Sequence, residues 1–281
     1  MLPPEARQAA RDAVREVARA EIVPRFRALG RGDTEAKTRA DDLVTVADRA
    51  AEAALTSRLA DILPGAAILG EEAVSADPSA WAALDAERCW VIDPIDGTWN
   101  FAHGLATFGV ILAYVEDGRT VWGMIHDPLQ DDWWEAAAGE GAAAHLRGRA
   151  RPLRLSPGPD RPEAARAVLH HDLYPPASRV SLSQTLPRFA RVASLGASAH
   201  EWRLLAEGAV DLCLSAGLCP WDHAAGALLY REAGGVARLL DGRAYEARCR
   251  DGRLLAARSE RLWQAAAELW AGLERPGGPV G

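Results

Sequence analysis

The stretch WVIDPIDGTWNF, residues 90–101, decides how the rest of the chain is read. An apolar run bounded by turn residues predicts a buried strand over residues 89–95. Asp93 stands near its end, and Asp96 follows across a Pro-Ile turn. Strand ends place side chains at an edge where loops converge, which is where sites form. That turn can aim both carboxylates and the Ile95 carbonyl at one point. Hard divalent cations such as Mg²⁺ want oxygen ligands, whereas zinc and copper favour His and Cys. Gly97 and Thr98 then open a short helix through Phe101. A glycine lets the backbone approach a ligand closely, and free N–H groups at a helix start bind phosphate. The segment therefore offers metal ligands and a phosphate cradle together, which implies phosphoryl chemistry on a metal-bound phosphate.

Three further acidic clusters lie outward from it: Asp42 to Asp48 (DLVTVAD), Gly70-Glu71-Glu72 and Trp221-Asp222-His223. Any one of these acids alone reads as a helix cap or a solvated turn. The periodicity around them predicts a helix over 5–29 bent at Pro24, with Ala9, Ala13, Val14, Val17 and Ala20 on its apolar face. A loop or exposed hairpin follows over 30–42, then a helix over 45–63 starting near Thr45 or Asp48. Strands are predicted at 66–70, 107–115, 119–126 and 132–137. The Pro-rich stretch 151–163 marks the boundary between subdomains. Beyond it the pattern predicts strands at 165–171, 210–215 and 236–240, and helices at 181–190, 196–209, 222–233 and 259–273. The last eight residues, ERPGGPVG, read as frayed.

Composition narrows the class. The 281 residues are 49% hydrophobic and 25% charged, which is globular and not disordered. The net charge of −7 argues against a nucleic-acid binder, which needs a basic face. Four cysteines form no C-x-x-C pair, so they read as reduced thiols in a cytoplasmic protein. The N-terminus lacks an apolar signal core, and no stretch approaches the roughly 18 apolar residues of a membrane span. Lys37 is the only lysine among 32 basic residues.

At these acidic motifs the sequence resembles the inositol monophosphatase family of Mg²⁺-dependent, lithium-sensitive phosphatases. The resemblance rests on residues 90–101 and 221–235, with support from Lys37 to Asp48, from Gly70-Glu71-Glu72, and from SLGASA at 194–199, which is similar to the family's substrate loop. It implies an α+β and α/β fold of layered αβαβα type. An N-terminal part, 1–150, would carry most metal ligands, and a C-terminal part, 151–281, would close the site. By the same resemblance, Glu71, Asp93 and the Ile95 carbonyl hold a first Mg²⁺, and Asp93, Asp96 and Asp222 a second. Glu71 also bears on a third, weaker ion. Asp48 and Thr98 orient the attacking water, Glu71 is catalytic together with them, and the N–H groups of Gly97 and Thr98 hold the phosphate. Gly196, Ala197, Ser198 and Ser215 line the substrate. The implied substrate is a small phosphorylated metabolite, first inositol-1-phosphate. Histidinol phosphate, fructose-1,6-bisphosphate and 3′-phosphoadenosine 5′-phosphate are the alternatives. The implied assembly is a homodimer, with no membrane or nucleic-acid partner. A reading of another class is a binding factor for the transcription machinery, as some bacterial relatives are.

Departures from the family pattern carry their own expectations. Ser215 stands where inositol-specific members have a glutamate, and a neutral hydroxyl there points away from strict inositol specificity. Trp99 replaces a small hydroxyl residue and is expected to pack or to wall the site. Lys37 reads either as a solvated loop residue or as a cation balancing the carboxylates. His170, His171 and His200 match no ligand spacing and are expected to pack or lie at the surface, and His223 to pack or to support Asp222. Trp133 and Trp134 should point to opposite faces of one strand.

Overall fold

Helix α1 (Pro4–Val17) starts on a proline at its first turn and buries one stripe, Ala6, Ala10, Ala13, Val14 and Val17. It widens into a π turn over Ala18–Ile22 and tightens at Val23–Arg25, where Pro24 sits. The wider turn rotates Ala20 to the outside, so this residue does not continue the apolar stripe as its spacing predicts. In this computed structural model the described residues are 1–30, 32–37 and 42–273, without the side chain of Ala177. The expected frayed tail, 274–281, lies outside them.

Strands β1 (Thr34–Ala36) and β2 (Leu43–Thr45) pair antiparallel, and β2 leads into α2 (Val46–Ile62). Thr45 caps α2 by accepting from the Ala47 N–H, while the Asp48 carboxylate accepts from the Thr45 N–H. Next come β3 (Ala67–Gly70), α3 (Glu71–Ala76), β4 (Arg88–Asp96) and α4 (Thr98–Ala102). A meander follows: β5 (Gly109–Glu116), β6 (Arg119–Asp127), β7 (Asp132–Ala137), β8 (Gly141–Leu146) and β9 (Arg149–Leu153). Strands β3 to β9 form one seven-stranded sheet in chain order, parallel only at β3–β4. The last two strands escape the sequence pattern because they are Ala- and Arg-rich. The Arg149–Leu153 edge is mostly exposed and carries Pro152, which blocks further pairing.

The second half contributes β10 (Arg166–Leu169), α5 (Pro176–Thr185), β11 (Arg191–Ala193), α6 (Ser198–Ala206), β12 (Leu212–Leu214), α7 (Pro220–Glu232), β13 (Val236–Leu239), β14 (Leu254–Ala257) and α8 (Glu260–Leu269). Its five strands are ordered β11-β10-β12-β14-β13, with β10 parallel to both neighbours.

Three cores stack these elements. Leu55 and Leu59 of α2 and Val14 of α1 pack on Trp90, Ile92, Leu112 and Trp122 on one face of the large sheet. The alternate strand residues Val91, Ile111 and Trp134 face Trp202 of α6 and Ala225 and Leu228 of α7. The same middle layer packs against Ala237 and Leu254 of the small sheet. On that sheet's far face Leu169, Leu212 and Leu255 meet Leu182 of α5 and Trp263 of α8. The order is α, β, α, β, α, as the resemblance implies. Trp133 and Trp134 fall on opposite faces, the first stacked on His145 and the second in the middle core. Trp99 does not pack inside: it is 44% exposed and stacks on His103, because the single turn of α4 presents it to solvent.

Candidate active site

The site begins with a flaw in β4. Residues three apart on a regular strand face opposite sides of the sheet. Here Asp93 pairs with Ile111 but Asp96 with Gly109, so the Pro94-Ile95 segment carries one residue more than its partner strand. That bulge brings both carboxylates to one side, and Pro94 has no N–H to lose from the ladder. Asp222, in the first turn of α7, completes the group: oxygens of Asp93, Asp96 and Asp222 lie within 4.8 Å of one another. Oδ1 of Asp93 is buried and has no hydrogen-bond partner among the described residues.

Buried like charges raise one another's pKa. Burial first, then Glu71, Asp96 and Asp222, push Asp93 well above the carboxylate range. Burial, with Asp96 and Glu71, does the same to Asp222. Asp96 is pushed up to about 7 by burial, although the N–H groups of Ser198 (3.0 Å) and Ala199 (2.6 Å) donate to it. Asp96 thus caps α6 and joins the acidic cluster as well.

Glu71 acts on these acids and is held by Lys37, the residue after β1. Lys37 Nζ donates to Glu71 Oε1 at 2.8 Å and to Glu72 Oε1 at 2.7 Å. Of the two readings of Lys37, the structure has the buried cation and not the solvated one. Burial works against its charge, but the two glutamates outweigh it and hold its pKa above the ordinary value. Burial and Glu71 push Glu72 up to about 8. Sequence reasoning passed over the group that aims this turn. Glu52 of α2 accepts from the N–H groups of Glu72 (2.9 Å) and Ala73 (2.7 Å), so its carboxylate caps α3. A Cβ on Gly70 would sit 2.2 Å from the Glu52 carboxyl carbon, so only glycine allows this approach. Replacing Glu52 by Ala strands two N–H donors, and we expect a loss of about 1–2 kcal/mol in thermal denaturation.

Asp48 and Thr98 meet across the cleft. Thr98 Oγ1 lies 3.0 Å from Asp48 Oδ1 and 2.9 Å from the Ile95 carbonyl oxygen. The other oxygen of Asp48 accepts from the Thr45 N–H at 2.8 Å and from its hydroxyl. Burial, helped by Glu71, pushes Asp48 up to about 6 against these hydrogen bonds. Gly97 turns left-handed at φ 86°, and a Cβ there would come within 2.9 Å of the Ala197 Cβ. Asn100 Nδ2 ties this turn to the second half, donating to the carbonyls of Thr107 and Leu195, each at 2.8 Å. Gly97, Thr98, Gly196, Ala197 and Ser198 are thereby brought together around Asp96.

The Ser215 side chain is held by a neighbouring strand. Its hydroxyl donates to the Leu254 carbonyl at 3.2 Å and accepts from the Leu254 N–H at 2.9 Å, so its proton is committed to β14. His200 packs as expected, with Nε2 on the Phe108 carbonyl and Nδ1 accepting from Arg203. His223 bonds the Gly217 carbonyl, and burial lowers it to about 4. His170, set aside by spacing, is instead bonded to Glu201 and Ser194.

The arrangement can hold hard cations on oxygen, keep a water beside Asp48 and Thr98, and present backbone to an anion. The model of the inositol monophosphatase family matches residues 4–274. The chain is similar to an inositol-1-monophosphatase of Mesorhizobium japonicum, 34% identical over 206 residues, 72% of this chain and 73% of that protein. It is 37% identical to a histidinol-phosphatase of Mycobacterium tuberculosis over 211 residues, 71% of this chain and 75% of that one. Among solved structures, an IMPase of Thermotoga maritima superposes with a TM-score of 0.77 at 26% identity, covering 96% of this chain and all of the other.

Proposed function

The chain belongs to the inositol monophosphatase family of phosphatases, and on that premise we propose that it is a Mg²⁺-dependent phosphomonoesterase whose first substrate is inositol-1-phosphate. The observation that carries the metal reading is the convergence of Asp93, Asp96 and Asp222 around an Asp93 oxygen with no protein partner among the described residues. An all-oxygen, carboxylate-rich donor set fits magnesium. Glu71, Asp93 and the Ile95 carbonyl would hold one ion, and Asp93, Asp96 and Asp222 a second, with Glu71 bearing on a third. Bound there, magnesium supplies charge neutralisation and a water acidic enough to attack near neutral pH.

The protein's own groups do the rest. The N–H groups of Gly97 and Thr98 bind the phosphate and set it against the acids. Thr98 and Asp48 orient the attacking water, and Asp48 Oδ1 takes its proton. In the metal-free site burial pushes Asp48 up to about 6, closer to neutral pH than an ordinary carboxylate, which suits a proton acceptor. Lys37 offsets the charge of Glu71 and Glu72. No covalent nucleophile is needed, because phosphoryl transfer asks mainly for positioning and charge stabilisation.

The substrate rests on less than the chemistry does. The Mesorhizobium relative's name supports inositol-1-phosphate, and the Mycobacterium relative's supports histidinol phosphate. The commitment of Ser215 to Leu254 weakens strict inositol recognition at that position. Phosphate release with and without Mg²⁺ would decide, on inositol-1-phosphate, histidinol phosphate, fructose-1,6-bisphosphate and 3′-phosphoadenosine 5′-phosphate. We expect release only with metal and fastest from inositol-1-phosphate. Faster release from another member would move the substrate, and no release from any would overturn the proposal. It includes a homodimer, which sedimentation would read as twice the chain's 30.1 kDa. It also includes a cytoplasmic location, which fits the absence of disulfides among the described residues.

A further inference from the structure

Beyond the acids, one polar network stands at the mouth of the small sheet. Glu201 Oε2 lies 2.7 Å from His170 Nε2, and Ser194 Oγ lies 2.8 Å from His170 Nδ1. The other oxygen of Glu201 accepts from the Leu195 N–H at 2.8 Å. Glu201 is buried on α6, and Ser194 is exposed. His170 and Ser194 directly follow β10 and β11, two parallel neighbours. From β10 the chain crosses to β11 on one side and then returns to β12 on the other. Such a reversal opens a crevice at the carboxyl ends of the strands, where α/β proteins bind ligands. The crevice adjoins the acids, since Asn100 holds the Leu195 carbonyl and Asp96 caps α6.

We propose that Ser194, oriented by His170 and Glu201, is a specificity residue that hydrogen-bonds a hydroxyl of the leaving group. This rests on the phosphatase reading above. A carboxylate only accepts, so Glu201 keeps the Nε2 proton in place. In the neutral ring Nδ1 accepts from the Ser194 hydroxyl, which leaves the serine's lone pairs for a donor. In the imidazolium Nδ1 donates, and the Ser194 proton is left for an acceptor. An alcohol hydroxyl is both donor and acceptor, so Ser194 complements it in either state. The ligand class is a polyol phosphate, and Ser194 supplies the polar contact that the committed Ser215 hydroxyl does not.

The test compares inositol-1-phosphate with phenyl phosphate, whose leaving group has no spare hydroxyl. For Ser194→Ala, KM for inositol-1-phosphate should rise about tenfold, the effect of one lost hydrogen bond, with kcat nearly unchanged. Both constants for phenyl phosphate should stay within about twofold of the parent's, and Ser194→Thr should restore the selectivity. An equal change on both substrates, or none on either, would overturn this inference while leaving the phosphatase reading intact. A fluorophosphonate adduct on Ser194 would also overturn it, in favour of a nucleophilic serine. No metal-dependent release by the parent from either substrate would remove the phosphatase reading and this inference with it.

Discussion

Asp93→Asn should lower kcat/KM for phosphate release by at least about 10³-fold and at the same time make the metal-free chain more heat-stable than its parent. The two effects have one cause. Asp93 is 1% exposed, and Glu71, Asp96 and Asp222 all disfavour its charge. Its Oδ1 has no partner among the described residues. Without metal, the fold must either bury that charge or take up a proton to remove it, and both cost stability near neutral pH. With metal, the carboxylate belongs to both proposed ion sites. The amide keeps the shape, removes the negative charge and can donate to a neighbouring carboxylate. A residue of purely structural importance would lose stability and activity together. Opposite signs, read by phosphate release and by thermal denaturation in chelator, would mark Asp93 as a ligand. Full activity in a folded Asp93→Asn would contradict the metal assignment.

The second large effect is on pH and metal. Asp96 is raised from 3.8 to about 7, and Glu72 from 4.5 to about 8. Asp93 and Asp222 move in the same direction. The folded metal-free chain thus holds protons that the unfolded chain has released. Their stabilising effect is complete below about pH 4, the unfolded value, and is lost as pH rises through 7 to 8. Lys37 is also raised, but its contribution stays constant until far more alkaline pH. The metal-free melting temperature should therefore fall from pH 5 to pH 8 on account of these groups. Magnesium competes with those protons, so its stabilisation should be small at pH 5 and about 5–10 °C at pH 8 under saturating metal. A Mg²⁺ shift that is equal at both pH values, or larger at pH 5, would contradict this.

Much of the fold is legible because residues 88–127 carry strong local signals. Apolar strands there end at Glu116-Asp117-Gly118 and at Asp127-Pro128, and the structure turns at both places. The acids were legible for the same reason: a strand that ends in Asp-Pro-Ile-Asp-Gly has few structural reasons to do so. What the spacing could not reveal was the bulge that turns Asp93 and Asp96 to one side. Strands β8 and β11 are made mostly of small or charged residues, and β14 is only four residues long, so tertiary pairing decides them. Glu52 has no mark of its role in the sequence, since its cap is on α3 and not on its own helix. Asn100 could have been singled out within the 90–101 motif, but its partners lie as far away as Leu195. His170 and Glu201 are 31 residues apart, and only the parallel crossover brings them together. Ser215 shows the reverse, a site position by resemblance whose side chain the strand backbone has taken up.

A calorimetric titration of Mg²⁺ into the metal-stripped chain at pH 8, beside folded Asp93→Asn, bears most directly on the acidic cluster as a metal site. Saturable binding in the parent that disappears in the variant is the expected result. No saturable binding in the folded parent, or the same isotherm in both, would contradict it.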